Sequence, residues 1–210
     1  MRPARFAVAA LAGVFCLQGT GTLVLTWPAG FRFLKLPASL AEHARSELDA
    51  CLVQNQRKLE MQFSFTTLHG GRGRLRRLPG PDFYPACDRL MRAAEVSFGL
   101  KADRALVQVM VRQYRPGQGL KLHVDSKEMF EEPVLAVVLR PGGAGDGLVL
   151  QHMKEPDQKA GPVAECTGLA MCFQGPARYD WGHQVPAVSK RRLSITWRWF
   201  RPRYLDRFEH

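Results

Sequence analysis

From Ala105 onward the chain is a succession of short β-rich runs, "ALVQVMVRQY", "LKLHVD", "PVLAVVLR", "GLVLQHM", "GLAMCFQ" and "RRLSITWRWF", separated by turn signals such as "RPGQG". Six such runs at close spacing restrict this half of the molecule to an all-β barrel or a two-sheet sandwich. Upstream the pattern differs. Residues 22 to 36 read as strand, turn, strand. "PASLAEHARSELDACLVQNQ" opens on Pro37 and Ser39 and spaces Leu40, Ala44, Leu48, Cys51 and Leu52 at helical intervals, which predicts an amphipathic helix. "LEMQFSFTTL" alternates and predicts a strand. "HGGRGRLRRLPGPDFYP" has the Gly, Pro and Arg content of a mobile surface loop. "CDRLMRAAEVSF" has helical periodicity, with Gly99 as its stop. The fold class is therefore mainly β with flanking helices, α+β.

A chain of 210 residues is long enough for one full domain with a substantial core. Apolar content of 46% and charged content of 23% exclude wholesale disorder. The excess of 30 Lys and Arg over 19 Asp and Glu gives a formal charge of +11, which favours a polyanionic partner such as nucleic acid, or an anionic membrane surface. Five cysteines, with no C-x-x-C pair, argue against a disulfide framework or a thiolate zinc site. A reducing intracellular compartment (nucleus, cytoplasm or an organelle) is the simpler setting. Residues 6 to 31 carry no charge, and Arg2 and Arg5 precede them. This segment reads either as a targeting segment or as edge strands of the domain; a membrane span is not expected, because the apolar length is marginal. The expected organisation is a targeting segment or edge strands over 1–30, helices and a lid region over 31–104, a catalytic core over 105–202 and a tail over 203–210. All belong to a single catalytic domain, expected to be a monomer.

Within "LKLHVD", residues two apart on a strand share a face, so His123 and Asp125 are expected to point the same way. An imidazole nitrogen and a carboxylate oxygen so placed can fill two adjacent positions on one metal ion. Of the other histidines, His43, His69 and His210 lie on the early helix, in the basic loop and at the terminus, which leaves His152 and His183. His183 follows aromatic and turn residues in "QGPARYDWGHQVP", where a side chain can lean into the mouth of a barrel. Two histidines and one carboxylate form the facial triad that leaves positions open on non-haem Fe(II). The same donors suit zinc with a bound water, and a lone H-x-D is more often a surface pair.

The last run adds weight to the metal reading. Arg192 and Arg198 are six apart and share a face with Ser194 and Thr196, whereas Leu193, Ile195 and Trp197 face oppositely. Arginines turned inward require anions to meet them. Their backbones stand roughly 20 Å apart, so the two serve different parts of a site.

In this order and spacing, His123, Asp125, the distal His183 and the R-x5-R from Arg192 to Arg198 resemble the AlkB-like 2-oxoglutarate and Fe(II)-dependent dioxygenases. The resemblance runs from about Phe31 to Phe200. It implies a double-stranded β-helix, or jelly-roll, core behind a nucleotide-recognition lid. It also implies iron on His123, Asp125 and His183, with 2-oxoglutarate and O2 as cosubstrates. Arg192 and Tyr114 would hold the distal carboxylate of 2-oxoglutarate, and Arg198 would lie nearer the metal and its ligands. Two positions depart from the family pattern: Arg112 and Ser194 each stand where Asn is common, at points that usually touch the cosubstrate.

The loop "GGRGRLRRLPG" places Arg72, Arg74, Arg76 and Arg77 where relatives carry their lid, suited to neutralising phosphates around an extruded base. Phe65, Phe83 and Tyr84 are candidates for stacking. A solvated basic loop would look the same. Three functions follow: demethylation of alkylated DNA or RNA bases, oxygenation of protein side chains or small molecules by the same chemistry, and a catalytically idle nucleic-acid-binding jelly roll.

Overall fold

A computed structural model describes residues 26–54, 60–67, 75–77, 84–100 and 107–203. Residues 1–25, which hold most of the segment read as targeting or edge strands, lie outside them, as do Arg72, Arg74 and Phe83. Among the described residues, no helix is long and apolar enough to cross a membrane.

The elements run β1 (Phe31–Lys35), α1 (Ala38–Gln54), β2 (Glu60–Thr67), β3 (Leu75–Arg77), α2 (Pro85–Phe98), β4 (Val107–Tyr114), β5 (Leu120–His123), β6 (Phe130–Arg140), β7 (Val149–His152), β8 (Lys159–Ala160), β9 (Leu169–Phe173), α3 (Gly175–Tyr179), β10 (Trp181–Val185) and β11 (Arg192–Phe200). They form a seven-stranded sheet, β1-β9-β6-β11-β4-β2-β3, facing a four-stranded sheet, β5-β10-β7-β8. Every strand pairing is antiparallel. The architecture is the expected jelly roll, and the strands upstream of residue 105 join its larger sheet.

Alternation along the strands divides the core in two. Leu193, Ile195, Trp197 and Trp199 of β11 pack with Leu135 and Val137 of β6 against α1 and α2, on the outer face of the large sheet. Val134 and Val138 of β6, Met171 and Phe173 of β9, and Leu150 of β7 fill the space between the sheets. Both faces of the large sheet are thus covered, which is why "PVLAVVL" is continuously apolar rather than alternating. The helix layer is tied by a cap from outside α2. Tyr84 at the α2 N-cap makes no side-chain bond there, and the Glu47 carboxylate of α1 instead accepts the backbone N–H groups of Ala86 and Cys87. A carboxylate at a helix amino end both satisfies free donors and meets the positive end of the dipole. At the other end Gly99 adopts φ 67° and donates to the carbonyls of Glu95 and Val96, as its position after the periodic run predicts.

Several expectations need correction. Leu75–Arg77 is a strand, not mobile loop: Phe65 stands opposite Arg77 and Thr66 opposite Arg76 on β2. A ladder partner is a long-range gift that local Gly and Arg content cannot disclose. Of the expected strand, turn, strand over 22–36, residues 22–25 lie outside the described residues, residues 26–28 are coil, and the turn at 29–30 and the second strand are present. Tyr84 packs against the helix-layer core instead of standing free for stacking. Cys172 is buried as expected, but Cys166 is only half-buried.

One close approach fixes how the site strand sits. A Cβ on Gly119, just before β5, would lie 2.4 Å from the carbonyl oxygen of Val185 and 2.9 Å from the backbone of Pro186. Backbone on both sides leaves no flexible group to move. Gly119→Ala is therefore expected to destabilise the fold by about 1–3 kcal/mol, read as a lowered midpoint in urea, whereas Gly117→Ala, which meets nothing within 4 Å, should lose only through its positive φ.

Candidate metal centre

β5 and β10 pair antiparallel, with His123 directly opposite His183. Cross-strand partners point to the same face, so the two imidazoles meet with ring centroids 4.3 Å apart. His183 lies inside a strand, not in the turn-rich strand end its sequence suggests. The aromatic and turn residues before it form α3, a single helical turn ending at Tyr179. Nδ1 of His123 lies 2.9 Å from the Lys121 carbonyl. A carbonyl can only accept, so Nδ1 carries the proton and Nε2 is left with its lone pair for a metal.

Asp125 reaches the same place by a different route from the one expected. β5 ends at His123, so strand alternation does not extend to Asp125. Its position is set by arginines. The buried Arg178 of α3 donates to the carbonyls of Asp125, at 2.9 Å, and of Ser126 and Phe130. Arg198 of β11 hydrogen-bonds Oδ1 of Asp125, while Oδ2 stands 4.0 Å from Nε2 of His183. One carboxylate oxygen is thereby held and the other turned toward the imidazole.

Ligand atoms of His123, Asp125 and His183 all lie within 4.8 Å of one another, the single group of this kind among the described residues. Their protonation states fit a cation. Burial alone would raise the Asp125 carboxyl, but Arg198, with His183 and Arg178, more than offsets it and leaves it lowered to about 2. Burial lowers His183 to about 4 against the opposing pull of Asp125, helped by His123, Arg198 and Arg178. At neutral pH the centre thus offers an anionic oxygen and a neutral imidazole, the forms that bind metal. Two nitrogens and one carboxylate suit Fe(II), and all three donors are present for it.

The His183 shift has a stability consequence in the metal-free protein. An unfolded-state histidine protonates near its ordinary 6.5, while the folded one resists protonation until about 4. Between those values the unfolded state binds more protons, so stability falls as pH drops from 6.5 to 4, by up to about 3 kcal/mol. The Asp125 contribution is full above 3.8 and is lost only as pH falls from there to about 2, a separate window. Urea unfolding in chelator at pH 7 and 4.5 should show a drop in the native protein that His183→Gln reduces by about 2 kcal/mol or more.

The face assignment on β11 holds. Arg192, Ser194, Thr196 and Arg198 line an open-mouthed cavity that His123, Asp125 and His183 also line. Tyr114 and Arg112 of β4 stand opposite Arg192 and Ser194 and line it too. Both arginines meet carboxylates, as inward-facing cations must. Arg198 has Asp125, and its guanidinium lies 4.7 Å from the Phe130 ring centroid. Arg192 forms a two-pronged ion pair with Glu165, Nε to Oε2 at 2.7 Å and Nη2 to Oε1 at 2.8 Å, with both side chains almost wholly buried. Its Nη1 donates to Ser194 Oγ at 3.1 Å, and its guanidinium lies 5.3 Å from the Tyr114 ring.

Sequence reasoning missed two of these residues. Arg178 sits in the quoted "GPARYDWGH", but nothing in the string says that it turns inward. Glu165 lies in a loop with no periodicity, and its only signal was the demand of Arg192 for an anion. His152 stays out of the cluster. Its Nδ1 accepts the Glu155 N–H at 3.0 Å, and its ring packs edge-on against Trp181. Arg76 and Arg77 are on β3, paired with Thr66 and Phe65 of β2.

No family model matches the chain. It is 32% identical over 110 residues to a tRNA (carboxymethyluridine(34)-5-O)-methyltransferase, alkbh8, of Xenopus tropicalis, a match covering 51% of this chain and 16% of that protein. An uncharacterized protein, L905, of Acanthamoeba polyphaga mimivirus is 28% identical over 108 residues, 46% of this chain and 49% of the relative. The chain thus spans between about a sixth and a half of these relatives. Among solved structures it is similar to a Pseudomonas putida prolyl-4-hydroxylase, with a TM-score of 0.50 and 19% identity over 82% of this chain and 88% of that one. It is also similar to a Trichoplax adhaerens prolyl hydroxylase in complex with a hypoxia inducible factor peptide fragment, with a TM-score of 0.55 and 16% identity over 86% of this chain and 88% of that one. At these identities the likeness establishes the fold.

Proposed function

We propose that this protein is an Fe(II)- and 2-oxoglutarate-dependent dioxygenase that acts on alkylated bases of nucleic acid. The reaction class rests on one observation: His123, Asp125 and His183 converge in a single cavity that Arg192 and Arg198 also line, in the fold of two prolyl hydroxylases. Loaded with Fe(II), 2-oxoglutarate and O2, such a centre supplies a C–H oxidant while the cosubstrate leaves as succinate and carbon dioxide; on an N-methyl group the hydroxylated product then releases formaldehyde.

The chain's own residues divide the work. Nε2 of His123, freed by the Lys121 carbonyl, binds the metal with His183 and Asp125. Arg198 holds Oδ1 of Asp125 and so orients the carboxylate. Arg178 fixes the backbone that carries it. At the Arg192 end of the cavity, Arg192, Ser194 and Tyr114 receive the distal carboxylate of the cosubstrate, with Arg112 beside them on β4.

The formal charge of +11 favours nucleic acid as the substrate. So do Arg76 and Arg77 on β3, the edge strand of the large sheet, and the partial likeness to proteins named for action on tRNA. A second reading, hydroxylation of a protein side chain, is favoured by the peptide bound to the Trichoplax adhaerens neighbour. Succinate formation by the iron-loaded protein separates them, measured alone, with methylated DNA and RNA oligonucleotides, and with proline-containing peptides. Stimulation by methylated oligonucleotides with matching formaldehyde release is expected. Stimulation by peptides alone would replace the substrate assignment, and no succinate under any condition would overturn the enzyme reading.

A further inference from the structure

We propose that Glu165 is an internal rival for the cosubstrate's carboxylate, setting how tightly this site holds a dicarboxylate; the proposal rests on the oxygenase reading above. Arg192 has five N–H donors arranged as a fork, and its strongest grip on a carboxylate uses two of them in parallel. Here that grip is already made. Nε and Nη2 both go to Glu165, at 2.7 and 2.8 Å. Glu165 is anchored in turn, because its Oε1 also accepts the backbone N–H of Leu148 at 3.1 Å. Its carboxylate is shut away from solvent, with a side chain 3% exposed. It is not among the residues lining the cavity, whereas Arg192 and Ser194 are.

Two consequences follow for an incoming dicarboxylate. The arm of Arg192 that bonds a cavity residue is Nη1, which donates to Ser194 Oγ at 3.1 Å, so the ligand meets one arm rather than the fork. Ser194 Oγ, used as an acceptor by Nη1, retains its own proton to donate to the ligand. The positive charge of Arg192 is also balanced across the same guanidinium by Glu165, so the site attracts a second carboxylate weakly. Glu165 acts on the ligand only through Arg192, which makes it a positioning and specificity-determining residue, not a catalytic one.

Replacing the charge while keeping the shape, Glu165→Gln, should return the full charge of Arg192 to the cavity. The test is calorimetric titration of protein loaded with redox-silent Mn(II), so that no turnover is needed. 2-Oxoglutarate is titrated beside 2-oxobutyrate, which has the same keto-acid end and no distal carboxylate. Glu165→Gln is expected to bind 2-oxoglutarate about tenfold tighter than the native protein or better, with 2-oxobutyrate unchanged to within about twofold. Glu165→Asp, which keeps the charge but withdraws it by one methylene, should lie between the two and provides the reading if the glutamine variant does not fold. Detectable 2-oxoglutarate binding by the native protein, with equal or weaker binding by the folded variant, overturns the role of Glu165 and leaves the oxygenase reading intact. Equal tightening of both ligands would also overturn it. Absence of 2-oxoglutarate binding by every Mn(II)-loaded form would overturn both.

Discussion

Asp125→Asn should leave a folded protein with succinate production reduced more than about 100-fold, beyond the range usual for residues that only support a metal ligand. The amide keeps an oxygen for the Arg198 hydrogen bond but is a poor metal ligand, so the iron retained after desalting should fall well below one per chain. Asp125→Ala should lose the same activity and stability as well. It strips Arg198, whose side chain is 12% exposed, of its anion, and a largely buried arginine left without one costs about 3 kcal/mol. The two variants therefore separate metal binding from fold. If Asp125→Asn retained stoichiometric iron and native turnover, the metal centre would lie elsewhere.

Arg192→Met should cost about 3–5 kcal/mol, because it abandons the Glu165 carboxylate in a site sealed from water. Glu165→Leu alone should cost about as much by abandoning Arg192. Combining the two replaces a buried ion pair with apolar side chains and should recover most of the loss, leaving a coupling of about 2 kcal/mol or more in a double-mutant cycle by urea unfolding. A loss below about 1 kcal/mol for Arg192→Met would mean that the pair is not the buried contact described above. On the proposed function the double variant, although folded, should bind 2-oxoglutarate more weakly than the native protein.

These two arginines also show how far the sequence could be read. Even spacing put Arg192 and Arg198 on one face, and burial of Leu193, Ile195 and Trp197 on the other bears it out. That inward arginines need carboxylates followed from electrostatics. Which carboxylates did not, because Glu165 and Asp125 reach β11 across 27 and 73 residues of chain. The H-x-D pair was legible for a partly mistaken reason: alternation serves His123, while Asp125 is placed past the strand end by Arg178 and Arg198. Helices α1 and α2 and most strands are legible through their periodicity and the residues that flank them. β3, β8, β10 and α3 are not: they are set in turn-rich stretches with no period of their own and exist through their pairing and packing partners. The basic segment has the composition of a loop, and pairing with β2 is what makes Leu75–Arg77 a strand.

β11 joins two requirements in nine residues. Odd-numbered positions hold the helices to the sheet, and the even-numbered ones from Arg192 to Arg198 line the cavity. For anyone adapting the protein, this makes the strand a two-sided instrument whose sides can be altered one at a time. Substitutions of similar volume at Leu193 or Ile195 adjust robustness from behind, while those at Ser194 or Thr196 reshape the cavity wall from the front. An insertion of one residue here would exchange the two sides at once, so sequence length along β11 should be far less tolerant of change than sequence identity.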